Sequence, residues 1–389
     1  MNKKKEIVPK LRFPEFMNED EWKNKRIEQL LTIGNGCDYK HLSKGDIPVY
    51  GSGGYMCSVD DFLYDGDSVC IGRKGTIDQP IFLRGKFWTV DTLFYTHSYK
   101  NCVPKFIYNI FQRINWLKYN EAGGVPSLSK TAINKINVYI PKISEQQKIA
   151  ACLSSIDELI DAESEKLKAL EKYKKGLMQK LFPTEEKTLP EWRFPEFKNC
   201  GDWEQTTLTK VAFYENGKAH ENYIEEHGKY IVVNSKFIAT DGEVKKHSNT
   251  ANLLAKRGDI LMVLSDVPNG RAFAKCYFVE ENDKYAVNQR ICRLIPHDIH
   301  SLFLFYHMNR NKYFLDFDDG VKQTNLKKSD VLACPLLKPK EKREQQKIAD
   351  CLLEIDTMVT EQYKKIEQLK THKKGLMQGL FPSLEEADI

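Results

Sequence analysis

The hexapeptide EQQKIA stands at Glu145–Ala150 and again at Glu344–Ala349 in a chain of 389 residues. Around it the agreement widens. EQQKIAACLSSID is matched by EQQKIADCLLEID, and KKGLMQKLFP, ending at Pro183, by KKGLMQGLFP, from Lys373 to Pro382. Both blocks are displaced by 199 positions, from 145 to 344 and from 183 to 382. A second pair of phrases opens each copy, LRFPEF from Leu11 and WRFPEF from Trp192, followed by Trp22 and Trp203, all displaced by 181. The chain is therefore written twice, with insertions netting 18 residues in the second copy between Trp203 and Glu344.

A long internal repeat organises everything else in a sequence. Similar ends around divergent middles are expected when the ends share a structural task and the middles recognise different things. The middles still echo each other: Gly66-Asp67 answers Gly258-Asp259, TVDTLFY from Thr89 answers AVNQRIC from Ala286, and GVPSLSKTAI from Gly124 loosely answers GVKQTNLKKSDV from Gly320. One fold carrying two different surfaces is the simplest account. Both middles alternate short apolar runs with Gly, Asp and Asn turns, which predicts short strands and hairpins. Helical stretches are expected near Lys105 to Lys118 and Ser301 to Phe314, making each lobe α+β.

The shared ends predict long helices. Apolar residues run Ile149, Leu153, Ile156, Ile160, Leu167, Leu170, Leu177 and Leu181, in steps of four and three once Glu163 and Lys174 are counted in register. The second copy runs Ile348, Leu352, Ile355, Val359, Gln362, Ile366, Leu369, Lys373, Leu376 and Leu380, with polar breaks at the same two places. That is a heptad seam, and polar seam positions can fix its register. Ser144 with Gln147 fits a capping box at the first start, and Pro183 stops that helix. Arg343 stands where Ser144 stood, so the second helix is expected to start earlier, with Pro339 near its first turn. Gly176 and Gly375 inside the helices point to a close backbone approach or a frayed last turn.

A helix of this length with an apolar stripe needs a partner. The phrases bracketing each copy predict two units related by a pseudo-twofold axis, with the helices antiparallel and a lobe at each end. Two separate helical hairpins, each packed on its own lobe, are the alternative. The expected layout is an α+β domain over 1–143, a spacer helix over 144–183, a linker over 184–191, a second domain over 192–338, a second spacer helix over 339–382 and a tail over 383–389. LFPSLEEADI parallels LFPTEEKTLP, so the C-terminal end should lead back toward VPKLRFPEF.

Composition sets limits. Hydrophobic residues make up 41% and charged residues 29%, a balance that folds in water and is too apolar for disorder. No stretch approaches the roughly 18 apolar residues of a membrane span, and MNKKKEIVPK has no apolar core behind its charges. The ten cysteines contain no CxxC, which predicts free thiols in a reducing cytoplasm. A net charge of +5 permits a polyanionic partner without demanding one.

With these motifs, and IPVYGSGGYMCSV from Ile47, the sequence resembles the specificity subunits of type I restriction-modification enzymes from about Pro9 to Pro382. The resemblance implies two target recognition domains, each reading one half of a split, asymmetric site in double-stranded DNA. It also implies that the helices act as a ruler and as a dock for two adenine-N6 methyltransferase subunits, joined by a restriction and translocase subunit. S-adenosylmethionine, and ATP with Mg, are then expected on those partners and not on this chain.

Catalytic signatures point the same way. Asp78-Gln79-Pro80-Ile81 departs from an adenine methyltransferase tetrad at two of four positions, and no Walker loop or HExxH is written. Gly51-Ser52-Gly53-Gly54 reads as a hairpin turn, Glu243-Val244-Lys245 as a common triplet without an upstream acid, and His297 with His300 as surface residues. Base readout favours Arg, Lys, Asn, Gln and Ser on turns beside a basic surface. The candidate contacts are Tyr50, Tyr55, Arg73, Lys74, Ser127, Ser129 and Lys130 in the first lobe, and Arg271, Gln323, Asn325, Lys327 and Lys328 in the second. A stand-alone two-lobed DNA-binding regulator or architectural protein is the competing reading.

Overall fold

The computed structural model describes residues 7–184, 187–268 and 270–382; the expected tail 383–389 and parts of the expected linker and amino-terminal segment lie outside them. Two repeated α+β units emerge. One takes the chain through Glu165 and again from Tyr363; the other is Lys166–Gln362. Each long helix, Ile143–Leu181 and Lys342–Gly379, therefore gives its opening part to one unit and its closing part to the other. Both are rich in Leu, Lys, Glu and Gln and free of internal proline, which favours uninterrupted helix.

The two units have the same plan. In the first, an antiparallel sheet runs Thr32–Asn35, Leu93–His97, Ser68–Gly72, Ile81–Leu83. A second sheet runs Gly54–Val59, Lys44–Gly51, Lys86–Thr89, Tyr64–Asp65, its two inner strands parallel through Val49↔Trp88. The second unit repeats this with Ala212–Asn216, Ile291–Pro296, Ile260–Val263 and Cys276–Phe278, and with Ile224–Glu225, His247–Ser248, Tyr230–Val233 and Tyr285–Val287, the last two parallel. The buried strand Ser68–Gly72 and its counterpart Ile260–Val263 carry apolar or small side chains throughout, as a strand covered on both faces must. Helices Pro104–Phe111 and Ser301–Met308 close the cores.

The repeated hexapeptide turns out to be a joint. Glu145 receives Arg12 through a two-point fork at 2.9 and 2.8 Å and the Trp22 indole at 3.4 Å. Glu344 receives Arg193 at 2.7 and 2.7 Å and the Trp203 indole at 3.2 Å. Gln146 accepts the Val103 N–H that begins helix Pro104–Phe111 and donates to Pro141 O; Gln345 accepts the His300 N–H that begins Ser301–Met308 and donates to Pro339 O. Each glutamine thus ties three segments through groups that burial would otherwise leave unpaired. Lys148 pairs with Glu15 and Lys347 with Glu196, while Ile149, Ala150 and Leu153, with Ile348, Ala349 and Leu352, enter the two cores.

The helix ends close the same units. Phe381 lies 5.8 Å from Trp22 and 5.3 Å from Phe106, and Phe182 lies 6.4 Å from Trp203 and 5.3 Å from Phe303, centroid to centroid. Burying a phenylalanine this way contributes roughly 1.5–3 kcal/mol. Leu11 N–H donates to Gly379 O at 2.8 Å, and Trp192 N–H to Lys180 O at 2.9 Å. In each unit, then, the end of one copy's helix meets the start of the other copy, and separate self-contained hairpins are ruled out.

The polar breaks in the seam explain themselves. As one helix advances from Asp157 to Glu163 the other retreats from Lys373 to Lys365, with Asp157–Lys373 and Glu163–Lys365 paired at 2.5 Å each. The segments are antiparallel. In the other unit Lys174 pairs with Asp356, which also accepts the Tyr306 hydroxyl at 2.8 Å. Lys174 with Asp356 is the repeat equivalent of Lys373 with Asp157, the copies having exchanged roles, as in an isologous contact. Of the seam residues, Ile149, Leu153, Leu167, Ile348, Leu352, Ile355 and Ile366 are buried, and Ile156, Ile160, Leu170, Val359 and Leu369 are half-buried.

Some expectations change. Both helices begin at equivalent residues, Ile143 and Lys342, so Ser144 lies inside the first turn, and Pro339 precedes the second helix. Gln146 and Gln345 do the end-tying instead. Added methyl groups at Gly176 or Gly375 would meet open space, so a close backbone approach does not account for them. The alignment of TVDTLFY with AVNQRIC shifts by one residue, because Val90 N–H donates to Tyr50 O and Leu93 N–H to Val90 O just as Asn288 N–H donates to Val233 O and Ile291 N–H to Asn288 O.

One position distinguishes the lobes under acid. His307 packs against Phe182 and Phe303 and accepts an N–H from Asn311 at 3.2 Å; its counterpart in the other lobe is Ile110. Burial holds the imidazole down at about 4, against 6.5 unfolded. Below pH 6.5 the unfolded chain takes up a proton that the folded one refuses, so stability falls as pH drops from 6.5 toward 4. His307→Leu is expected to remove on the order of 2 kcal/mol of that loss, measured by urea denaturation at pH 7 and pH 4.5.

Candidate nucleic-acid interface

Five of the seven first-lobe candidates converge on one cleft. Strand Ser68–Gly72 delivers the turn Arg73–Gly75, whose Gly75 has φ +91°. Arg73 N–H donates to Thr92 O at 2.8 Å, Gly75 N–H to Pro126 O at 2.9 Å, and Leu128 N–H to Arg73 O at 2.9 Å. The turn is thereby clamped between the bend at Asp91-Thr92 and the segment Pro126–Leu128. A cleft of about 520 Å³ opens there, lined by Asn35, Arg73, Lys74, Asp91, Thr92, Phe94, Ser127, Leu128, Ser129 and Lys130. Arg73 and Lys74 are exposed, and Lys130 lies 5.9 Å from the Phe94 ring centre. Three cations around one carboxylate make a net positive surface.

Ser129 has structural duties. It caps helix Lys130–Asn134 by accepting the Ala132 N–H at 3.0 Å and donates its hydroxyl to Glu121 at 2.8 Å. Tyr50 lines a different cleft, of about 500 Å³, with Phe82, Lys105 and Tyr108. Tyr55 stands 63% exposed on the hairpin after Gly54, its ring 6.1 Å from that of Tyr50. Gly51–Gly54 is the turn of that hairpin, as expected, and the Ser52 hydroxyl lies 3.2 Å from where a Cβ would stand on Gly75. Hairpin tip and basic turn are neighbours.

The second lobe rebuilds the frame with other side chains. Leu264 N–H donates to Arg290 O at 3.0 Å and Leu326 N–H to Leu264 O at 2.9 Å, while Ser265-Asp266 pairs with Thr324-Asn325 as a short ribbon. Leu264 holds the place of Arg73, Asn325 that of Ser127, and Lys328 that of Lys130. Gln323, Asn325, Lys327 and Lys328 are exposed beside this ribbon, with Lys328 Nζ 5.5 Å from the Tyr214 ring centre. Arg271 is exposed in a loop closed by Asp266, which accepts the Ala272 N–H at 2.8 Å. It stands beyond the position matching Arg73.

Sequence reading passed over Asn35 with Asn216, and Asp91-Thr92 with Gln289-Arg290. A signal existed. Each asparagine precedes a glycine, Gly36 or Gly217, on which a Cβ would lie 2.0 Å from Val90 O or 1.9 Å from Asn288 O; the repeated Asn-Gly thus marks where the strand touches the bend. Among the described residues no cluster of three or more His, Cys, Asp and Glu could hold a metal ion. His297 packs on Phe213 and His300 accepts the Phe303 N–H, while Asp241 is paired with Lys275 at 2.8 Å. No described helix is long and apolar enough to cross a membrane.

The chain thus repeats one α+β frame on two helical joints, with different polar side chains on the matching turns. The family model for the type I restriction modification DNA specificity domain matches residues 19–172 and 201–371. The chain belongs to that family, as a type I restriction-modification specificity subunit. It is 26% identical over 346 residues to the type I restriction enzyme MjaVIII specificity subunit of Methanocaldococcus jannaschii, covering 82% of this chain and 77% of that one. With the EcoprrI specificity subunit of Escherichia coli it shares 21% over 159 residues, 38% of this chain and 39% of the other. The crystal structure of a type I restriction-modification S subunit from M. genitalium aligns with a TM-score of 0.70 at 17% identity, covering 97% of this chain and all of that one. A chain from a study of type I system assembly and conformational transition aligns at 0.55 with 14% identity, over 93% and 98%. At these identities the structural matches speak for fold.

Proposed function

We propose that this chain reads a bipartite, asymmetric site in double-stranded DNA, one half by the domain over 1–143 and the other by the domain over 192–338. It directs adenine-N6 methylation and restriction in the cytoplasm by partner subunits, two methyltransferases and a restriction and translocase subunit. S-adenosylmethionine, and ATP with Mg, act on those partners. The observation that carries this reading is the shared backbone frame with exchanged chemistry: Arg73, Lys74 and Ser127 in one lobe stand where Leu264, Ser265 and Asn325 stand in the other. Equal frames with unequal polar side chains suit unequal half-sites, since base edges are told apart by donors and acceptors.

Arg73→Ala is expected to relax one base position in one half-site, a loss of about 1–3 kcal/mol of discrimination, read by sequencing methylated sites in a host expressing the variant with its partners. An unchanged site with a shallower salt dependence would make Arg73 a phosphate contact instead. Stable copurification with methyltransferase subunits separates this reading from a stand-alone DNA-binding regulator.

A further inference from the structure

Resting on that reading, we infer that Asp91 in the first lobe and Arg290 in the second are specificity-determining residues, Asp91 accepting from the exocyclic amino group of a cytosine and Arg290 donating to a guanine. Both lie in one structural bend. Thr92 O and Arg290 O accept the N–H groups of Arg73 and Leu264, and the bends are anchored alike on Tyr50 O and Val233 O, by Val90 N–H at 2.9 Å and Asn288 N–H at 3.1 Å. Hydrogen bonds that hold the backbone on both sides leave the side chains to vary without moving the frame. The bend carries Asp91-Thr92 in one lobe and Gln289-Arg290 in the other.

The charges differ between arms. In the first lobe the turn is basic, Arg73-Lys74, and the bend acidic at Asp91; in the second the matching turn residues, Leu264-Ser265, are uncharged, Asp266 stands in the place of Gly75, and the bend is basic at Arg290. Asp91 and Arg290 are both exposed, and neither side chain has an ion-pair partner among the described residues. An exposed carboxylate at a surface for a polyanion is repelled by phosphates, so its presence beside Arg73, Lys74 and Lys130 calls for a donor on the ligand; a cytosine N4 amino group offers one in the major groove. Arginine presents the two-point donor fork that fits guanine O6 and N7.

The test uses the full chain with the subunits that copurify with it, selecting from duplex DNA pools with randomised bases. Wild-type protein is expected to enrich a two-part motif with a cytosine in one part and a guanine in the other. Asp91→Asn should lower preference for that cytosine by about ten- to a hundredfold and raise adenine, leaving the other part unchanged. Arg290→Gln should do the same to the guanine alone. If wild type enriches a two-part motif and both variants enrich it identically, the assignment of Asp91 and Arg290 is wrong while the recognition reading stands. If both variants alter the same part, or Arg290→Gln weakens all sequences equally with a shallower salt slope, the assignment also falls. A wild-type selection that enriches no motif overturns the recognition reading and the assignment with it.

Discussion

Glu145→Ala is expected to destabilise the first unit by about 3–5 kcal/mol, and Glu344→Ala the second by as much. The glutamate side chains are 2% and 1% exposed and those of Arg12 and Arg193 are 9%. Removing the carboxylate leaves a guanidinium enclosed without its counter-charge and an indole N–H without its acceptor, which costs far more than an exposed ion pair is worth. The effect should be local. Hydrogen exchange should quicken around Arg12, Trp22 and the start of the first long helix in Glu145→Ala, while Arg193, Trp203 and the start of the second stay protected. The double variant Arg12→Met with Glu145→Met should lose less than Glu145→Ala, since an apolar pair leaves no orphaned charge. Equal losses would mean that Glu145 acts by shape alone.

On the bipartite reading proposed above, deleting Lys166–Lys172 together with Lys365–Thr371 is expected to shorten the unread gap of the target by roughly three base pairs. Seven residues at 1.5 Å each remove about 10 Å of helix, and B-DNA rises 3.4 Å per base pair. The cut lies between Asp157 and Lys174 in one helix and between Asp356 and Lys373 in the other, so both reciprocal ion pairs keep their partners, and of the pairs across the seam only Glu163–Lys365 is lost. Removing a full heptad turns the helix by only about 20°, which leaves the seam facing inward. Sequencing of methylated sites should return the same two half-sites at closer spacing. Methylation of the original site at full rate would end the view that these helices set the distance.

The heptad seam was readable because helical periodicity is local: Ile149, Leu153 and Leu167 recur at a spacing that any helix imposes, and the polar breaks at Lys174 and Lys373 appear as interruptions. Their partners were not readable, because Asp157 and Asp356 lie outside the apolar register and meet the lysines only across the helix pair. Likewise the duplicated phrases announced a shared task without disclosing it. Arg12 and Glu145 are separated by 133 residues, and nothing in the intervening chain encodes their meeting.

For the recognition surface the division is similar. Turn chemistry pointed to Arg73, Lys74, Ser127 and Lys130, since Gly75 and the Gly123-Gly124 pair punctuate the strands around them. Ser129 was drawn in by its residue type, although its hydroxyl is spent on a helix cap and on Glu121. Asp91 and Arg290 escape that logic, for the Asn-Gly pairs that mark their bends stand far away in sequence, at Asn35-Gly36 and Asn216-Gly217, and the bends themselves are one residue out of the apparent alignment.

By itself, then, the sequence determined the duplication, the helical periodicity, the α+β character of each half and the kinship with specificity subunits, because repeats and residue spacing are properties of order along a chain. Only the tertiary structure decided which Glu meets which Arg, that each helix ends in the unit where the other begins, and which side chains in the two lobes occupy the same place. Those are settled by long-range hydrogen bonds and buried ion pairs, whose energy depends on distance in space and not on separation in sequence.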